Sequence, residues 1–416
     1  MRENFFDAKE TMLYNGLKIV TVKRNTQLMS LNVGINVGSI YEDESQRGIA
    51  HFIEHMMFKG THSKNNEEIN DILEGLGGDY NAYTDYTRTV YSITALSNEL
   101  EPAVSIIADM LINSIFPQSE LNKERGVILS EIKTSIDDIE DLSYRKINEI
   151  AFDRNPIKYE ILGYEYSVNN IERKHLVEFY KKYYVPNNCC ISVVSPFEHE
   201  YVMDIIKKYF NLWKYNEILK KYVIIENNKP IIKKTFKKDI EQGTITYLYT
   251  FYGLTEKEEL ALRILNNKFG DSSNSILFKE LREKRGLVYD VYSTLDISKN
   301  IKTLYIFTSM DSKNIDSALN IIDLCIDKII NKEIIFDSNT MKQIKKVFKT
   351  SIASTLEDSS ELSSYVLLQI MEDDDIFKFE HEMEYIDNMK GEDLYSVANK
   401  VLKNPTIYII MPEKSE

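Results

Sequence analysis

With 416 residues, 43% of them hydrophobic, and only 15 glycines and 8 prolines, the chain is too long for one ordinary core and has the composition of a well-folded protein of two or more domains. Its net charge of −14 excludes a nucleic-acid binder, which needs a basic face for phosphates, and suits basic, unstructured peptides instead. No run of about 18 apolar residues is present to span a membrane, and the opening MRENFFDAKETMLYNG lacks the apolar core of a signal peptide.

MLYNGLKIVTV (12–22) predicts a strand–turn–strand with Asn15-Gly16 at the turn, and Leu31, Val33, Ile35 and Val37 alternate as in a half-buried strand. RGIAHFIEHMMFKG (47–60) predicts a helix closed by Gly60, and NNEEINDILEGLGG (65–78) a second, ended by Gly77 and Gly78. DYNAYTDYTRTVYSITAL (79–96) is rich in Tyr and Thr, as a strand or hairpin is. Helices are expected over 99–113, 119–138, on to about 152, and near 171–183; the apolar strand CCISVVS (189–195) and a helix ending near Trp213 follow. Strands bracketing a block of helices predict an α+β fold with a mostly antiparallel sheet. Cys189 and Cys190 point to opposite faces of their strand, so they and Cys325 are expected to be small buried residues, and the expected compartment is the cytoplasm.

The one weak boundary is Asn227-Asn228-Lys229-Pro230, and beyond it the pattern starts again. ITYLYTFYG is a strand, EKEELALRILNNKFG is a helix ending at Gly270, and NSILFKELREKRGLVYDVYSTL repeats the plan of NEEINDILEGLGGDYNAYTDY. FDSNTMKQIKKVFKTSIASTLEDSSELSSYVLLQI likewise parallels FPQSELNKERGVILSEIKTSIDDIEDLSYRKINEI. The chain is therefore an internal duplication with a period of about 210 residues: an N-terminal α+β domain (1–215), a linker (216–231) and a homologous C-terminal domain (232–416).

The duplication isolates one anomaly. HFIEH (51–55) falls opposite Ala261-Leu262-Arg263-Ile264-Leu265, so the helix does not need those polar residues in order to form. His51 and His55, four apart, aim at one point, while Ile49, Phe52, Ile53, Met56 and Met57 bury the helix. Two buried imidazoles are costly without partners, and zinc supplies one: it takes neutral imidazoles and, in a catalytic site, three protein ligands plus water. Glu54 is then free to act as general base, in an order that mirrors H-E-x-x-H. The third ligand must be an oxygen from another helix. Glu124 and Glu131, seven apart on one helix face, stand opposite the uncharged Ile344 and Ser351, and on these grounds either of them serves.

With these residues in place, the sequence resembles the pitrilysin, insulysin and mitochondrial processing peptidase family of inverzincins. The family's H-x-x-E-H, followed about 75 residues later by a ligand glutamate that is itself seven residues after another, reads here as His51, Glu54, His55, Glu124 and Glu131. The resemblance selects Glu131 as the ligand and makes Glu124 an acid that orients the site. GGDYNAYTDYTRTVY matches the family's G-G-x-x-N-A-x-T segment, which implies a sheet edge at Asn81 and Ala82 to which substrate adds as a strand. LFKELREKRGLVYDVYS matches its arginine–tyrosine pair, implying that Arg282 and Tyr289 hold the substrate carbonyl as the oxyanion develops.

The resemblance implies a zinc endopeptidase for peptides or unfolded segments, with one zinc per chain and a chamber of four such domains. A two-domain chain carrying both motifs is then expected to act as a homodimer, with a heterodimer with a related chain as the alternative. The competing function is a weakly active or non-catalytic subunit of a related processing peptidase. A structural zinc protein predicts a closed site of four ligands, and only three credible ones appear. Manganese or cobalt would also suit the same donors.

Overall fold

The computed structural model describes residues 5–218 and 223–413 and divides into two compact units. Unit 1 comprises Met1–Lys133, Tyr159–Tyr222 and Ile352–Ile376; unit 2 comprises Thr134–Lys158, Val223–Ser351 and Phe377–Glu416. Each is an α+β layer structure with its own sheet. The units differ from a simple cut at 216–231, because each takes one helical segment from the other half of the sequence. Of that linker, residues 219–222 lie outside the described residues.

The sheet of unit 1 is built from β1 (Asp7–Met12), β2 (Lys18–Lys23), β3 (Leu28–Ile35), β4 (Asp79–Thr84), β5 (Thr89–Leu96) and β6 (Cys189–Ser195), in the order β1-β2-β6-β3-β5-β4. Only β2 and β6 run parallel. Asn15 holds the β1–β2 turn by donating from Nδ2 to the carbonyls of Phe210 (3.0 Å) and Trp213 (3.1 Å).

β3 is not the half-buried strand that its alternation predicts: every residue from Met29 to Ile35 is buried. The helix Leu100–Asn113 packs on β3 and β5, and the helix Ser359–Met371, from the far half of the sequence, packs on β2, β3 and β6. Where that helix lies on β3, Gly34 leaves room for Met371: a Cβ at 34 would come within 2.3 Å of Met371 Sδ and the methionine would have to shift. Ser363 Oγ donates to the buried carbonyls of Ser30 (3.4 Å) and Ser192 (3.3 Å).

Unit 2 repeats the plan with β7 (Ile232–Lys237), β8 (Gln242–Thr250), β9 (Asp290–Asp296), β10 (Thr303–Asp311) and β11 (Thr406–Pro412), in the order β7-β11-β8-β10-β9. β7 and β11 run parallel and the other neighbours antiparallel. Its borrowed helix, Ile139–Ala151, packs on β8 and β11. The Ser143 and Thr244 hydroxyls meet at 2.7 Å, and Tyr305 OH donates to Asn148 Oδ1 at 2.6 Å. The two exchanged helices share a start: Asp138 caps the amides of Glu140 and Asp141, and Asp358 those of Ser360 and Glu361.

The three cysteines are free and buried; burial pushes the Cys190 thiol up to about 12 and Cys325 to about 11. Among the described residues no helix is long and apolar enough to cross a membrane.

Candidate metal centre

The helix Ile49–Met57 is buried almost all round, with Ile49, Phe52, Ile53, Met56 and Met57 at 0% exposure. It begins abruptly. Gly48 has φ of 92°, a left-handed conformation costly for other residues, and a Cβ there would lie 2.5 Å from the Leu162 carbonyl oxygen. No side chain at that position caps the first turn; the buried Glu42 does so from a distance, accepting the Gly48 amide on Oε2 (2.9 Å) and the Ala50 amide on Oε1 (3.0 Å). A carboxylate also suits the positive end of the helix. Sequence reasoning missed Glu42, because capping rules look one residue before a helix and not seven.

His51 and His55 stack edge-on, with ring centroids 4.6 Å apart. The second helix, Gln118–Asp137, buries Leu121, Glu124, Ile128 and Ile132 on one face and sets Glu131 beside it, half-exposed. Arg125 fixes this helix by donating to the carbonyls of Val168 and Ile171 while lying over the Phe52 ring. Glu131 Oε2 comes to 3.8 Å from His51 Nε2 and 3.6 Å from His55 Nε2.

His51, His55 and Glu131 are the only group among the described residues whose ligand atoms gather closely enough to hold a metal ion, all lying within 4.8 Å of one another. Tetrahedral zinc with bonds of about 2.0–2.2 Å keeps its donors about 3.3–3.5 Å apart, so this trio fits with small adjustments. The donor states fit too. Burial, with His55 beside it, pushes the His51 pKa down to about 3, which keeps the ring neutral. The His51 Nδ1 atom is buried and finds no hydrogen-bond partner among the described residues.

Glu124 is not in the trio. Its Oε2 lies 3.1 Å from His55 Nδ1, on the far side of the ring, and its Oε1 takes the Lys59 ammonium at 2.9 Å. The structure thus separates two glutamates that spacing alone left equal, and adds Lys59.

Glu54 projects from the same helix and is buried. Burial pushes its carboxyl pKa up; the Thr84 hydroxyl, donating to Oε2 at 2.6 Å, and His55 pull the other way. β4 lies alongside, paired with β5 only and forming the end of the sheet. Asn81 and Ala82 sit in this edge strand and line, with Glu54, His55 and Phe58, a cleft of about 300 Å³.

Arg282 and Tyr289 belong to unit 2, and the trio belongs to unit 1. Arg282 lies in the last part of a short π-helical turn, Phe278–Glu283, with its guanidinium over the Phe278 ring, and Tyr289 leads into β9, 55% exposed. In unit 2 the counterparts of the two histidines, Ala261 and Leu265, are buried, while Ser351, opposite Glu131, lines a cavity of about 310 Å³ together with Arg263 and Ile344. Arg263 is committed to Glu382 at 2.7 Å, and the cavity has no such cluster of metal donors.

The family model for insulinase (peptidase family M16) matches residues 18–165, and the model for the peptidase M16 inactive domain matches 170–348. An uncharacterized zinc protease of Rickettsia felis is 30% identical over 99% of this chain and 98% of its own length. A protease from Helicobacter pylori superposes with a TM-score of 0.92 at 22% identity, covering 98% of this chain and 100% of that one. The periplasmic protease PqqL of Escherichia coli, at TM-score 0.78 and 18% identity, matches 99% of this chain, which spans 48% of PqqL.

Proposed function

Because the chain belongs to the M16 (insulinase) peptidase family, we propose that it is a zinc-dependent endopeptidase for peptides and unfolded segments. The observation that carries this reading is the convergence of His51, His55 and Glu131 with Glu54 beside them and an open strand edge alongside. The match to the inactive-domain model falls on 170–348, which contains none of His51, His55 and Glu131, and does not weaken it.

When bound, zinc supplies a Lewis acid that lowers the pKa of a water and polarises a carbonyl. His51, His55 and Glu131 hold it, and Glu124 orients His55 by taking the Nδ1 proton in a hydrogen bond, which leaves Nε2 as the donor atom. The peptide lies along β4 at Asn81 and Ala82, bound by its backbone and therefore with little regard to side chains. Glu54 takes a proton from the attacking water and gives it to the leaving amine.

The working form is a homodimer in which the partner subunit's Arg282 and Tyr289 stabilise the oxyanion. That one chain carries both the zinc motif and the Arg282–Tyr289 pair supports this pairing. A cytoplasmic setting is supported by three unpaired, buried thiols.

The test is cleavage of a mixture of unstructured peptides by wild type and Glu54→Gln, with bound zinc measured in both. Cleavage by wild type alone, with about one zinc per chain in each protein, is the expected result. Zinc in both and cleavage by neither overturns the reading.

A further inference from the structure

We propose that Thr84 is a positioning residue for Glu54: its hydroxyl commits Oε2, so that Oε1 is the oxygen that receives the proton. The inference rests on the peptidase reading for its chemistry, and on geometry for the placement.

Thr84 Oγ1 lies 2.6 Å from Glu54 Oε2 and is the only hydrogen-bond partner of the Glu54 carboxylate among the described residues. The direction of this bond follows from the proton count. An ionised carboxylate can only accept, so the Thr84 proton points to Glu54. The neighbouring Thr89 hydroxyl, 3.3 Å from Thr84 Oγ1, sends its own proton to the Val37 carbonyl at 2.9 Å. Thr89 Oγ1 thus donates nothing to Thr84, and as an acceptor it is a neutral oxygen at 3.3 Å against the Glu54 carboxylate at 2.6 Å, so the Thr84 proton goes to Glu54.

Thr84 is itself held firmly. It ends β4 in register with Thr89, the first residue of β5, which is fully buried. The turn between them is closed by the Asp85 carboxylate, which accepts the amides of Thr87 (2.6 Å) and Arg88 (2.7 Å). Arg88 then anchors the turn on Glu372 at 2.8 Å. A glutamate has three side-chain torsions to fix, and a short bond from a β-branched residue in an anchored hairpin fixes the last of them.

The proton inventory balances. One proton leaves the attacking water for Oε1 and passes from Oε1 to the leaving nitrogen, while the Thr84 proton stays on its own oxygen and remains shared with Oε2 throughout. The hydroxyl thus keeps the carboxylate plane fixed while its charge comes and goes, and the oxygen already accepting a bond is the weaker base.

Thr84→Val keeps the shape and removes the donor, and Thr84→Ser restores the donor. On the zinc-loaded full-length chain, with a peptide that wild type cleaves, Thr84→Val should lower kcat roughly ten- to a hundredfold, with KM and bound zinc unchanged. Thr84→Ser should recover most of the loss. Crystal structures of both variants without metal should show the Glu54 carboxylate displaced in Thr84→Val and restored in Thr84→Ser. An unchanged kcat in Thr84→Val, or a Thr84→Ser variant as slow as Thr84→Val, overturns the inference in favour of simple strand packing. If wild type cleaves nothing, the peptidase reading fails separately, and the carboxylate position in the variant structures still decides the role of Thr84. Thr84→Ala, read in the same ways, replaces Thr84→Val if that variant does not fold.

Discussion

Glu124 Oε2 lies 3.1 Å from Nδ1 of His55, with the Lys59 ammonium 2.9 Å from its other oxygen. A carboxylate so engaged fixes the tautomer and tilt of the imidazole and raises its basicity, without touching the ion. Glu124→Gln should therefore retain zinc with affinity weakened roughly 10- to 100-fold, whereas Glu131→Gln, which removes a charged donor, should weaken it further. Competition with a chromophoric chelator measures both. Equal losses in the two variants would make Glu124 a ligand as well.

The contact between Glu42 and the start of the histidine helix should matter to stability and to metal together. Its two oxygens satisfy the amides of Gly48 and Ala50 at 1% exposure, so Glu42→Gln keeps the shape but loses one acceptor and the charge. Leaving a buried amide unsatisfied costs about 1–3 kcal/mol. Urea unfolding of the metal-free protein should show that loss. Zinc affinity should fall as well, because His51 lies one residue after Ala50.

What could be read from the sequence was what is local or periodic. HFIEH, the α+β class and the duplication were legible because spacing and repetition are properties of the chain itself. Glu131 and Glu124 were not separable bottom-up: both face the same side of a helix, and only the position of the His55 ring distinguishes its near nitrogen from its far one. β3 was misjudged as half-buried because its second cover, Ser359–Met371, lies more than 300 residues away in the chain. Thr84 stood inside the G-G-x-x-N-A-x-T segment, yet nothing in the spacing says that its hydroxyl reaches back 30 residues to Glu54.

The loop after the histidine helix should respond to pH. Asp109, on the helix Leu100–Asn113, accepts from Thr61 (2.8 Å), Ser63 (3.1 Å), Lys64 (2.9 Å) and Asn113 (2.8 Å). Burial alone raises its pKa, but the bonds from Lys64, Asn113 and Thr61 outweigh it and hold the carboxyl below its usual 3.8. With the folded value below the unfolded one, the stabilisation is complete above the unfolded value and is lost as pH falls through the folded one. Asp109→Asn should thus be less stable than wild type at pH 7, and the gap should close in strong acid. A gap that stays constant across a urea-unfolding pH series would show that the charge is not its source.

The exchange of helices predicts that the chain cannot be divided where its duplication suggests. A fragment of residues 1–215 retains β1 to β6 but lacks Ser359–Met371, whose Leu362, Val366 and Leu367 are at most 1% exposed. Without them the covered faces of β3 and β6 meet water, and the borrowed helix Ile139–Ala151 has no sheet of its own to cover. That fragment should aggregate or show the loose packing of a partly folded chain, seen as lost near-ultraviolet dichroism, while the full chain is well folded. A milder form of the same test is Leu367→Ala in the intact protein. It should cost about 2–5 kcal/mol, and hydrogen exchange should accelerate in β3 and β6, which lie in the first half of the sequence, before it does in β8 and β10. Acceleration confined to the second half would mean that this helix belongs energetically to its own repeat.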